Sequence, residues 1–511
     1  MSSLKSDNPP PLLWAEFKRG AESLGDCPAV ATPGGQATFR QLIAEAEKLA
    51  GELARAGVKP GDVVGHALPN SVDFVIAYLA LCRLPAVTML VSTKYHTSEL
   101  KAIAEGTRPD FFLATESLAR NLKAGLPELV EVASLNATGQ LPLRLLATEI
   151  TRSTESDSDW RRPVGNPAAQ PSLIKFTSGS TGVPKGILLS AGNVLAEADN
   201  VVQGLELTPD DRILSAVPAF HSYGFDLGVL ASLRSGARLE LREAFIPRRM
   251  LTEMSRPEIT VFLGVPSMYR FFLETRLDQP PDLSNLRYPL SCTAPLAPEV
   301  VVAFHEKFGA TICQHYGSSE TGAATTHVPG EVLDRRESVG RAMQGVRIWT
   351  IDPEGRELPV GEEGEVVIAS QAVAQGYLMG RPEGRNPIQD GKYFTGDLGR
   401  IDSDGFLYVT GRLDKLINVG GMKVSPDEVI RVLESCPLVR EAAVTGARDN
   451  NNEEVVFAAV TLRSPANEND ILDYCRGRLA EYKIPRRVDI REEMPRTATG
   501  KVKLGPEDVS F

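Results

Sequence analysis

Strand-like and helix-like segments alternate along the first part of the chain, and this alternation constrains the fold more than any other feature. Residues 38–56 carry apolar side chains at helical spacing, with Thr38 as the expected N-cap and Gly57 after the end. The stretches VKPGDVVGHAL, SVDFVIAYLALCRL, PAVTMLV and TSELKAIAEG then predict a strand, a helix, a strand and a second helix. Such alternation predicts an α/β fold with parallel or mixed sheets and helices on both faces.

Two changes of character divide the rest of the chain. Residues 151–172 are polar and rich in Ser and Pro, which predicts a surface loop before the short strand LIKF. From about 335 to 412, short β runs separated by DPEG, GEEG and DSDG turns predict a small β-rich module. The residues after Arg412 predict a compact α+β unit. Its expected elements are helices at 425–435 and 469–481 and strands near 442–447 and 455–462.

Charge and cysteine content exclude several classes of protein. The 511 residues include 55 Lys and Arg against 66 Asp and Glu, a net charge of −11, which argues against a nucleic-acid partner. The six cysteines form no CxxC pair, which predicts buried thiols in a reducing compartment. The N-terminus lacks an apolar signal stretch, and the most apolar window, 74–91, contains Arg83 and Pro85. We therefore expect a cytoplasmic protein without a membrane span.

A Gly-rich segment after the LIKF strand carries the strongest chemical signal. Residues 176–186, FTSGSTGVPKG, hold four hydroxyls, three glycines and one lysine. Small residues let backbone N–H groups approach a phosphate, hydroxyls add donors, and lysine adds a positive charge. The spacing differs from that of a Walker A loop, because Pro184 precedes Lys185 and Gly186 follows it.

This segment resembles the phosphate-binding loop of the adenylate-forming superfamily, which includes acyl- and aryl-CoA synthetases, peptide-synthetase adenylation domains and firefly-type luciferases. Further motifs of that family follow in order: PAFHSYG, SCTAPL, YGSSETG, YFTGDLGRIDSDGFLYVTGRLDKLI, NVGGMKVSPDEVI and PRTATGKVKL. The resemblance covers nearly the whole chain. It implies a large domain over residues 1–413 and a small, mobile C-terminal lid domain over 414–511, with the hinge near Asp414.

The resemblance also implies an ATP site. Tyr316 is expected to stack on the adenine, Asp397 to accept the ribose hydroxyls, and Arg412 to pair with ribose or phosphate oxygens. Lys501 is the expected adenylation lysine, which bridges the substrate carboxylate and the α-phosphate. The remaining expected ATP contacts are Thr177, Ser178, Gly179, Ser180, Thr181, Gly182, Lys185, Ala294, Pro295, Gly317, Ser318 and Ser319. Glu320 and Thr181 are expected to hold Mg²⁺, a hard cation that prefers oxygen ligands.

The carboxylate and the thiol have implied sites as well. His221 is expected to line the carboxylate pocket and to act in catalysis together with Lys501, Thr181 and Glu320. The expected acyl pocket consists of His221, Tyr223, Phe225, Gly264, Val265, Gly317, Gly322 and Ala323. The expected thiol-binding residues are Gly420, Gly421 and Lys423.

Two segments depart from the family pattern. Cys292 and Thr293 stand where relatives often have two glycines, which narrows that wall of the pocket. Ala191 stands where relatives often have a histidine, and no role is assigned to that missing histidine.

The predicted activity is an AMP-forming acyl- or aryl-CoA ligase, with ATP, Mg²⁺ and coenzyme A. The segment 418–430 reads as the CoA-ligase form of its motif rather than the peptide-synthetase form. Loading of a carrier-protein thiol is the alternative, and a non-catalytic homologue is disfavoured by the intact motifs. A luciferase-like oxygenase has no obvious support. A carrier protein and a homodimer remain open as partners.

The expected pocket segments also indicate the acid. Tyr223, Phe225, Phe262, Val265 and Met268 are apolar or aromatic. The segments contain no lysine or arginine that could hold a second carboxylate. We therefore expect a monocarboxylate, either an aromatic acid or a medium-length fatty acid.

Overall fold

The computed structural model describes residues 11–135, 141–148, 165–177, 184–379, 385–419, 422–448, 454–496, 502, 504–505 and 508. The strands of the first part are β1 (Pro28–Thr32), β2 (Gly35–Thr38), β3 (Val63–Ala67), β4 (Val87–Leu90), β5 (Phe111–Thr115), β6 (Val130–Leu135), β7 (Leu143–Ala147), β8 (Pro171–Thr177), β9 (Lys185–Ser190), β10 (Arg212–Ser215), β11 (Arg238–Leu241), β12 (Val261–Gly264), β13 (Tyr288–Ser291) and β14 (Cys313–Ser318).

The later strands are β15 (Gly322–Thr326), β16 (Arg341–Ala342), β17 (Val346–Ile351), β18 (Gly364–Ser370), β19 (Gly376–Met379), β20 (Ile388–Gln389), β21 (Lys392–Ile401), β22 (Leu407–Arg412), β23 (Ile417–Val419), β24 (Met422–Val424), β25 (Val439–Arg448), β26 (Glu454–Leu462) and β27 (Arg487–Ile490).

The helices are α1 (Leu12–Leu24), α2 (Phe39–Arg55), α3 (Val72–Arg83), α4 (Thr97–Thr107), α5 (Glu116–Gly125), α6 (Ala191–Gly204), α7 (Ser222–Gly224), α8 (Ala231–Ser235), α9 (Pro247–Met254), α10 (Pro266–Glu274), α11 (Pro298–Phe308), α12 (Pro426–Ser435) and α13 (Glu468–Arg476), with a π-helix over Phe225–Leu230 between α7 and α8.

Two large mixed sheets organise the first part of the chain. One has eight strands in the order β19-β9-β8-β4-β3-β5-β7-β6, and the other has nine in the order β16-β15-β14-β13-β12-β10-β11-β1-β2. Strands β3, β4, β5 and β8 are parallel neighbours in the first sheet, and β1 and β10–β14 are parallel neighbours in the second. Antiparallel strands flank both parallel regions. The predicted α/β class is confirmed.

The main core lies between the two sheets. Helix α3 is buried from Val72 to Cys82, as expected for a helix that is apolar on every side. Neighbouring residues of β3 point into different cores, because side chains alternate along a strand: Val64 joins the large core and Val63 joins the one under α4 and α5. The predicted N-cap is also confirmed, since the Thr38 hydroxyl accepts a hydrogen bond from the Gln41 N–H in a capping box.

The β-rich stretch does not form one sheet. Strands β17, β18, β20, β21 and β22 make a five-stranded antiparallel sheet, as predicted for the region. Strand β16 instead pairs with β15 of the nine-stranded sheet, and β19 pairs with β9 of the eight-stranded sheet. The chain therefore returns twice from this module to the large sheets, and β19 reaches the strand that follows the Gly-rich segment.

The last part of the chain has a core of its own. A buried cluster there draws only on residues from Ile417 to Val488. The strands and the first helix lie close to the predicted positions, but the second helix is shorter than predicted: it ends at Arg476 rather than 481 because Gly477 follows. Arg270 of α10 and Glu434 of α12 form an ion pair at 2.6 Å that joins this part to the nine-stranded sheet's helices.

No helix in the described part of the chain is long and apolar enough to cross a bilayer.

Asn70, between β3 and α3, ties the two large sheets together. Its amide N–H groups donate to the carbonyls of Val217 at 3.0 Å and Arg242 at 2.9 Å. Its side-chain oxygen accepts from the Ala219 N–H at 2.7 Å. This buried side chain therefore fixes the segment that leads from β10 into PAFHSYG.

We expect Asn70→Ala to destabilise the protein by about 2–4 kcal/mol, because it leaves buried backbone groups without partners. Urea denaturation measures the change in the free energy of unfolding. Ser71→Ala is the matched control: it removes one helix cap, the Phe74 N–H to Ser71 bond, and should cost about 1 kcal/mol. If Asn70→Ala lost no more unfolding free energy than Ser71→Ala, the role of Asn70 in connecting the two sheets would be contradicted.

Candidate active site

The predicted motifs meet at one edge of the two sheets. Segments 218–224, 264–265 and 292–296 follow the carboxyl ends of β10, β12 and β13, and segment 316–322 runs over the end of β14. Thr177 ends β8. Because the carboxyl ends of parallel strands share an edge, this is where ligands bind in open α/β sheets.

The Gly-rich segment connects two paired strands. Thr177 at the end of β8 lies opposite Lys185 at the start of β9. Predicted site residues outside the described part of the chain are Ser178, Gly179, Ser180, Thr181, Gly182, Gly420, Gly421 and Lys501.

Tyr316, Asp397, Arg412 and Asp414 form one hydrogen-bonded chain. The Tyr316 hydroxyl donates to Asp397 Oδ2 at 2.5 Å, and Arg412 Nη1 donates to Asp397 Oδ1 at 2.8 Å. Arg412 also donates from Nε to Asp414 Oδ1 at 2.9 Å. Strands β21 and β22 place these groups, since Asp397 and Arg412 are direct partners across the pair. The expected ribose contacts and the expected hinge are thus linked by a single guanidinium.

This network shifts the ionisation of its members. Burial raises the pKa of Asp397, although Arg412 and the Tyr316 hydroxyl oppose the shift. Burial by itself would raise the pKa of Asp414, but the hydrogen bond and the charge of Arg412, together with the Lys415 charge, outweigh burial and lower that pKa. Arg412 remains a cation, so its charge is shared by two carboxylates.

Glu320 is held by a tyrosine from a distant strand. The Tyr377 hydroxyl on β19 donates to Glu320 Oε1 at 2.7 Å, and no described residue donates to Oε2. Glu320 is buried, and burial followed by the Glu320 charge raises the pKa of Tyr377, which keeps its proton. A buried carboxylate with one oxygen free of protein donors fits a Mg²⁺ ligand that shares the ion with phosphate oxygens. The described residues contain no cluster of three or more His, Cys, Asp or Glu that would hold a metal without such a partner.

The His221 segment contacts the Glu320 segment directly. The Ser222 and Ser319 hydroxyls are 2.6 Å apart, and His221 Nδ1 accepts the Tyr223 N–H at 3.3 Å. Gly224 permits the tight turn of the His221 segment itself, because a Cβ there would lie 2.5 Å from the Pro218 carbonyl oxygen. The two predicted motifs are therefore in hydrogen-bond contact.

One predicted acyl-pocket residue packs into the core. The Phe225 ring is fully buried and packs edge-on against Tyr78 at 4.9 Å and near Phe74 at 6.3 Å, and its place in the pocket wall stays a prediction. The π-helix that starts at Phe225 turns this ring toward α3 in the core. Phe262 is likewise fully buried, and its ring packs edge-on against Tyr269 with the centroids 6.0 Å apart.

The other predicted wall residues lie at strand ends or in the segments that follow them. These are Tyr223 of α7, Gly264 at the end of β12, Val265 before α10, and Gly317, Gly322 and Ala323 of β14 and β15. Ala294 and Pro295 are exposed in the turn after β13, and Ser318 pairs with Gly322 in the β14–β15 hairpin.

Two glycines of the YGSSETG turn leave no room for a side chain. A Cβ on Gly317 would lie 2.2 Å from the Gly322 carbonyl oxygen. Gly322 has φ +66°, and a Cβ there would lie 2.5 Å from Glu197 Oε1. The turn that carries Ser319 and Glu320 is therefore packed directly on α6.

A buried ion cluster, Lys175 with Glu197 and Asp226, lies behind this turn. Lys175 Nζ on β8 is 2.8 Å from Glu197 Oε2 of α6 and 2.7 Å from the Asp226 carboxylate of the π-helix. Burial by itself lowers the pKa of Lys175, but the two carboxylates outweigh it and raise that pKa. Burial and the Glu197 charge hold the pKa of Asp226 well above its usual range.

Sequence reasoning missed this cluster and Tyr377. The available signal was a lysine inside the apolar run LIKF and an aspartate inside FDLGVL, since charged residues in such runs are buried only with a partner. Tyr377 gave no local signal.

The proposed thiol-binding hairpin is formed by β23 and β24. Asn418 lies opposite the exposed Lys423, and Val419 lies opposite Met422. Ser425 Oγ donates to the Thr410 carbonyl at 3.1 Å, which connects the hairpin to β22.

A separate cleft of about 400 Å³ lies between the β1–β2 turn and α9. It is lined by Thr32, Asn70, Arg242, Ile246 and Met250, among others, and contains none of the predicted site residues.

We expect Lys175→Met to destabilise the protein by about 3–5 kcal/mol, because it leaves two carboxylates buried without their cation. The free energy of unfolding in urea measures the loss. The triple variant Lys175→Met, Glu197→Gln, Asp226→Asn removes the charge imbalance and should recover at least half of it. A triple variant no more stable than the single one would contradict the electrostatic explanation.

Thr293 is in a strained conformation, with φ +79° at a position where a β-branched residue is an outlier. We expect Thr293→Gly to stabilise the protein by about 1 kcal/mol, the relief of strain exceeding the added entropy of the unfolded chain. Thr293→Ala is the control, since it keeps the Cβ and should gain much less. Equal melting temperatures for the Gly and Ala variants would count against strain at this residue.

Known sequence families match most of the chain. A profile of AMP-binding enzymes matches residues 17–378, and a profile of the AMP-binding enzyme C-terminal domain matches residues 428–501.

Individual relatives are similar over nearly their full lengths. A probable CoA ligase of Humulus lupulus, CCL9, is 30% identical over 502 residues, which is 96% of this chain and 95% of that protein. A feruloyl-CoA synthase of Amycolatopsis sp is 32% identical over 488 residues, with 93% and 94% covered. The structure of o-succinylbenzoate CoA synthetase from Bacillus subtilis with its acyl-adenylate intermediate superposes with a TM-score of 0.80 at 28% identity, covering 97% of each chain.

Proposed function

Because the chain belongs to the AMP-binding enzyme family and is an AMP-forming acid–CoA ligase of the acyl- and aryl-CoA synthetase branch, we propose that it activates a monocarboxylic acid with an aromatic or medium-length tail. In this proposal the acid becomes an acyl-adenylate and is then passed to the thiol of coenzyme A.

The observation that carries the proposal is the chain of contacts from Tyr316 through Asp397 and Arg412 to Asp414. Each Asp397 oxygen accepts one protein hydrogen bond and keeps a second lone pair for a ribose hydroxyl. A nucleotide bound to Asp397 would thus be connected to the proposed hinge through the Arg412 guanidinium. This arrangement supports one site that serves both half-reactions.

The first half-reaction joins two anions. A carboxylate oxygen of the acid bonds to the α-phosphorus while the bond to the β-phosphate oxygen breaks and pyrophosphate leaves. Positioning and charge neutralisation dominate such a transfer. Thr177, the Gly-rich residues and Lys185 are proposed to hold the phosphates, and Lys501 to bridge the carboxylate and the α-phosphate where charge develops. His221 is proposed to line the carboxylate pocket.

Glu320 and Thr181 would hold Mg²⁺, which would neutralise phosphate charge. The Tyr377 hydroxyl donates to Glu320 Oε1 and thereby orients the carboxylate. The Ser222–Ser319 contact holds this segment against the carboxylate pocket.

The second half-reaction forms the thioester. The thiol loses its proton, its sulfur bonds to the acyl carbon, and AMP leaves. We propose that the domain 414–511 turns about Asp414 between the two steps. Lys501 then leaves the site, and Gly420, Gly421 and Lys423 approach with the thiol.

The walls of the expected acyl pocket favour an acid with a single carboxylate over a dicarboxylic acid. The segments 221–225, 264–267, 292–296 and 317–323 contain no lysine or arginine to neutralise a second one. Burying an unpaired carboxylate is costly, so a dicarboxylic acid fits these walls poorly.

We expect Lys501→Ala to lower adenylate formation by about 10²–10³-fold, because one developing charge loses its counter-ion. ATP–pyrophosphate exchange measures this step. Conversion of preformed acyl-AMP with coenzyme A should fall far less. Equal losses in both assays would contradict the assignment of Lys501 to the first step.

Lys503→Ala is the matched control, since it removes the same charge two residues away. Both half-reactions should stay close to the unsubstituted enzyme in this variant. A loss equal to that of Lys501→Ala would point to general charge rather than to a positioned ammonium.

The acceptor and the acid are tested together. Exchange is first measured with benzoate, cinnamate, hexanoate, octanoate and succinate, and thioester formation is then measured with coenzyme A and with a phosphopantetheinyl carrier protein. The proposal predicts exchange with monocarboxylates and transfer to coenzyme A. Preference for succinate would contradict the substrate class, and faster transfer to the carrier protein would contradict the acceptor.

A further inference from the structure

A groove of about 330 Å³ lies beside strand β11, at the end of the nine-stranded sheet that β11, β1 and β2 form. Two leucines of β11 enter the large core, so the alternating residues Arg238, Glu240 and Arg242 lie on the opposite face and line the groove. The turn between β1 and β2 and the side chains of Arg249 and Arg256 complete its lining. None of the predicted site residues belongs to this groove.

Glu240 is a buried carboxylate that three arginines share. Its Oε2 is 2.9 Å from Arg242 Nη2, and its Oε1 is 2.8 Å from Arg256 Nη2 and 3.5 Å from Arg238 Nε. Burial by itself would raise the pKa of Glu240, but the three arginines outweigh burial and lower that pKa. Glu240 is therefore ionised, and its single negative charge is already divided among three cations.

The other ion pairs of the region do not balance the arginines. Glu253 of α9 accepts from Arg242 Nε at 2.6 Å and from Arg249 Nε at 2.9 Å. The four arginines of the groove thus contact two carboxylates, which leaves an excess of two positive charges. Arg212 and Glu258, 3.4 Å apart just outside the groove, add one charge of each sign and do not change the excess. In a chain with a net charge of −11, such a local excess attracts anions.

Arg238 and Arg256 have N–H donors that the protein does not use. The Nε atoms of both are buried, and neither forms a hydrogen bond with a described residue. Burial lowers the pKa of Arg238, and the like charges of Arg212 and Arg256 add to that shift, whereas the Glu240 charge opposes it. An anion between the two guanidinium groups would accept the unused hydrogen bonds and reduce the repulsion between like charges.

The excess of positive charge is greatest at this end of the groove. The cleft of about 400 Å³ described above shares Arg242 and Arg249 with the groove, but it adds Glu243 and lacks both Arg238 and Arg256. An anion is therefore better neutralised beside Arg238 and Arg256 than in the neighbouring cleft.

A phosphate group matches the charge and the donors. At neutral pH a phosphate monoester carries about −1.5 to −2, close to the positive excess of the groove. Its oxygens accept paired hydrogen bonds from the planar fork of a guanidinium group. A carboxylate monoanion would neutralise only half of the excess.

We propose that this groove binds a small phosphate dianion, either inorganic phosphate or a phosphomonoester, at a site separate from those of ATP and coenzyme A. Arg238 and Arg256 donate to the phosphate oxygens, and Glu240 holds the two guanidinium groups in place. The proposal does not depend on which acid the enzyme activates.

The first test is isothermal titration calorimetry of the full chain at constant ionic strength, with inorganic phosphate, glycerol 3-phosphate and acetate as probes. We expect one phosphate site per chain with a Kd of about 1 mM or tighter, and no measurable binding of acetate. The tighter of the two phosphate probes distinguishes a free phosphate from an ester. Acetate binding as tight as that of phosphate would overturn the proposal.

The double variant Arg238→Gln, Arg256→Gln should raise the Kd of phosphate by about tenfold or more, because charged hydrogen bonds are lost. Arg347→Gln, Arg356→Gln is the matched control: it removes the same charge from two exposed, ion-paired arginines and should change the Kd by less than about twofold, since exposed distant charges are screened. Equal Kd values for the unsubstituted protein and the groove variant would overturn the proposal.

Arg238→Gln alone separates binding from stability. The unfolding midpoint of the phosphate-free protein should stay the same or rise in this variant, because a repelled cation is removed, while phosphate binding weakens. A clearly lower midpoint with unchanged phosphate binding would show that Arg238 serves stability alone and would overturn its role as a ligand.

The separation from the substrate sites has its own measurement. Saturating AMP and coenzyme A should leave the Kd of phosphate unchanged, and the double groove variant should keep the KM for coenzyme A and the rate of pyrophosphate exchange. Displacement of phosphate by coenzyme A, or a raised KM for coenzyme A in the variant, would make the groove part of the substrate site and overturn the proposal. Failure of every acid to support exchange would contradict the proposed function and leave the binding result in force.

Discussion

The buried contact among Lys175, Glu197 and Asp226 is the constraint on which the site region depends. An ammonium ion and two carboxylates are buried in contact with one another, so removing any one of them leaves a buried charge without its partner. These side chains hold three elements together: the strand that leads into the Gly-rich segment, helix α6 and the π-helix after His221. Glu197 also fills the space that a Cβ on Gly322 would need. The turn that carries Glu320 is therefore packed against the same ion cluster.

A second charged network acts at the outer edge of the site. Arg412 contacts Asp397, the proposed ribose ligand, and Asp414, the proposed hinge residue. The two carboxylates compete for one cation, and their pKa values shift in opposite directions because Asp397 is more deeply buried. The proposed ribose ligand and the proposed hinge residue are therefore connected through the Arg412 charge.

Several residues could be predicted because their signals are local. The capped helix after Thr38 and the turns of the β-rich stretch follow from short-range spacing and turn chemistry. The motif residues Tyr316, Asp397 and Arg412 follow from matching runs of sequence, and the structure brings these three together. Gly477 was a local signal for the helix end too, but the predicted helix extended past it to residue 481.

Other residues could not be placed in this way. Phe225 directly follows the predicted PAFHSYG motif, but a π-helix rotates its ring into the core, and no spacing rule predicts that turn. Tyr377 lies in a stretch that reads as part of the β-rich module, yet its strand crosses to the eight-stranded sheet and brings its hydroxyl to Glu320.

The amino-acid sequence by itself determined the α/β class, the order of the motifs and the acid–CoA ligase chemistry, because periodicity, turn residues and contiguous motifs are encoded within short windows. The tertiary structure alone decided which distant groups meet. Lys175 and Asp226 are 51 residues apart, and Glu320 and Tyr377 are 57 apart. Such pairs depend on strand order and on crossovers between sheets, which are set by the packing of the whole core, so the local sequence does not tell which partner a residue meets.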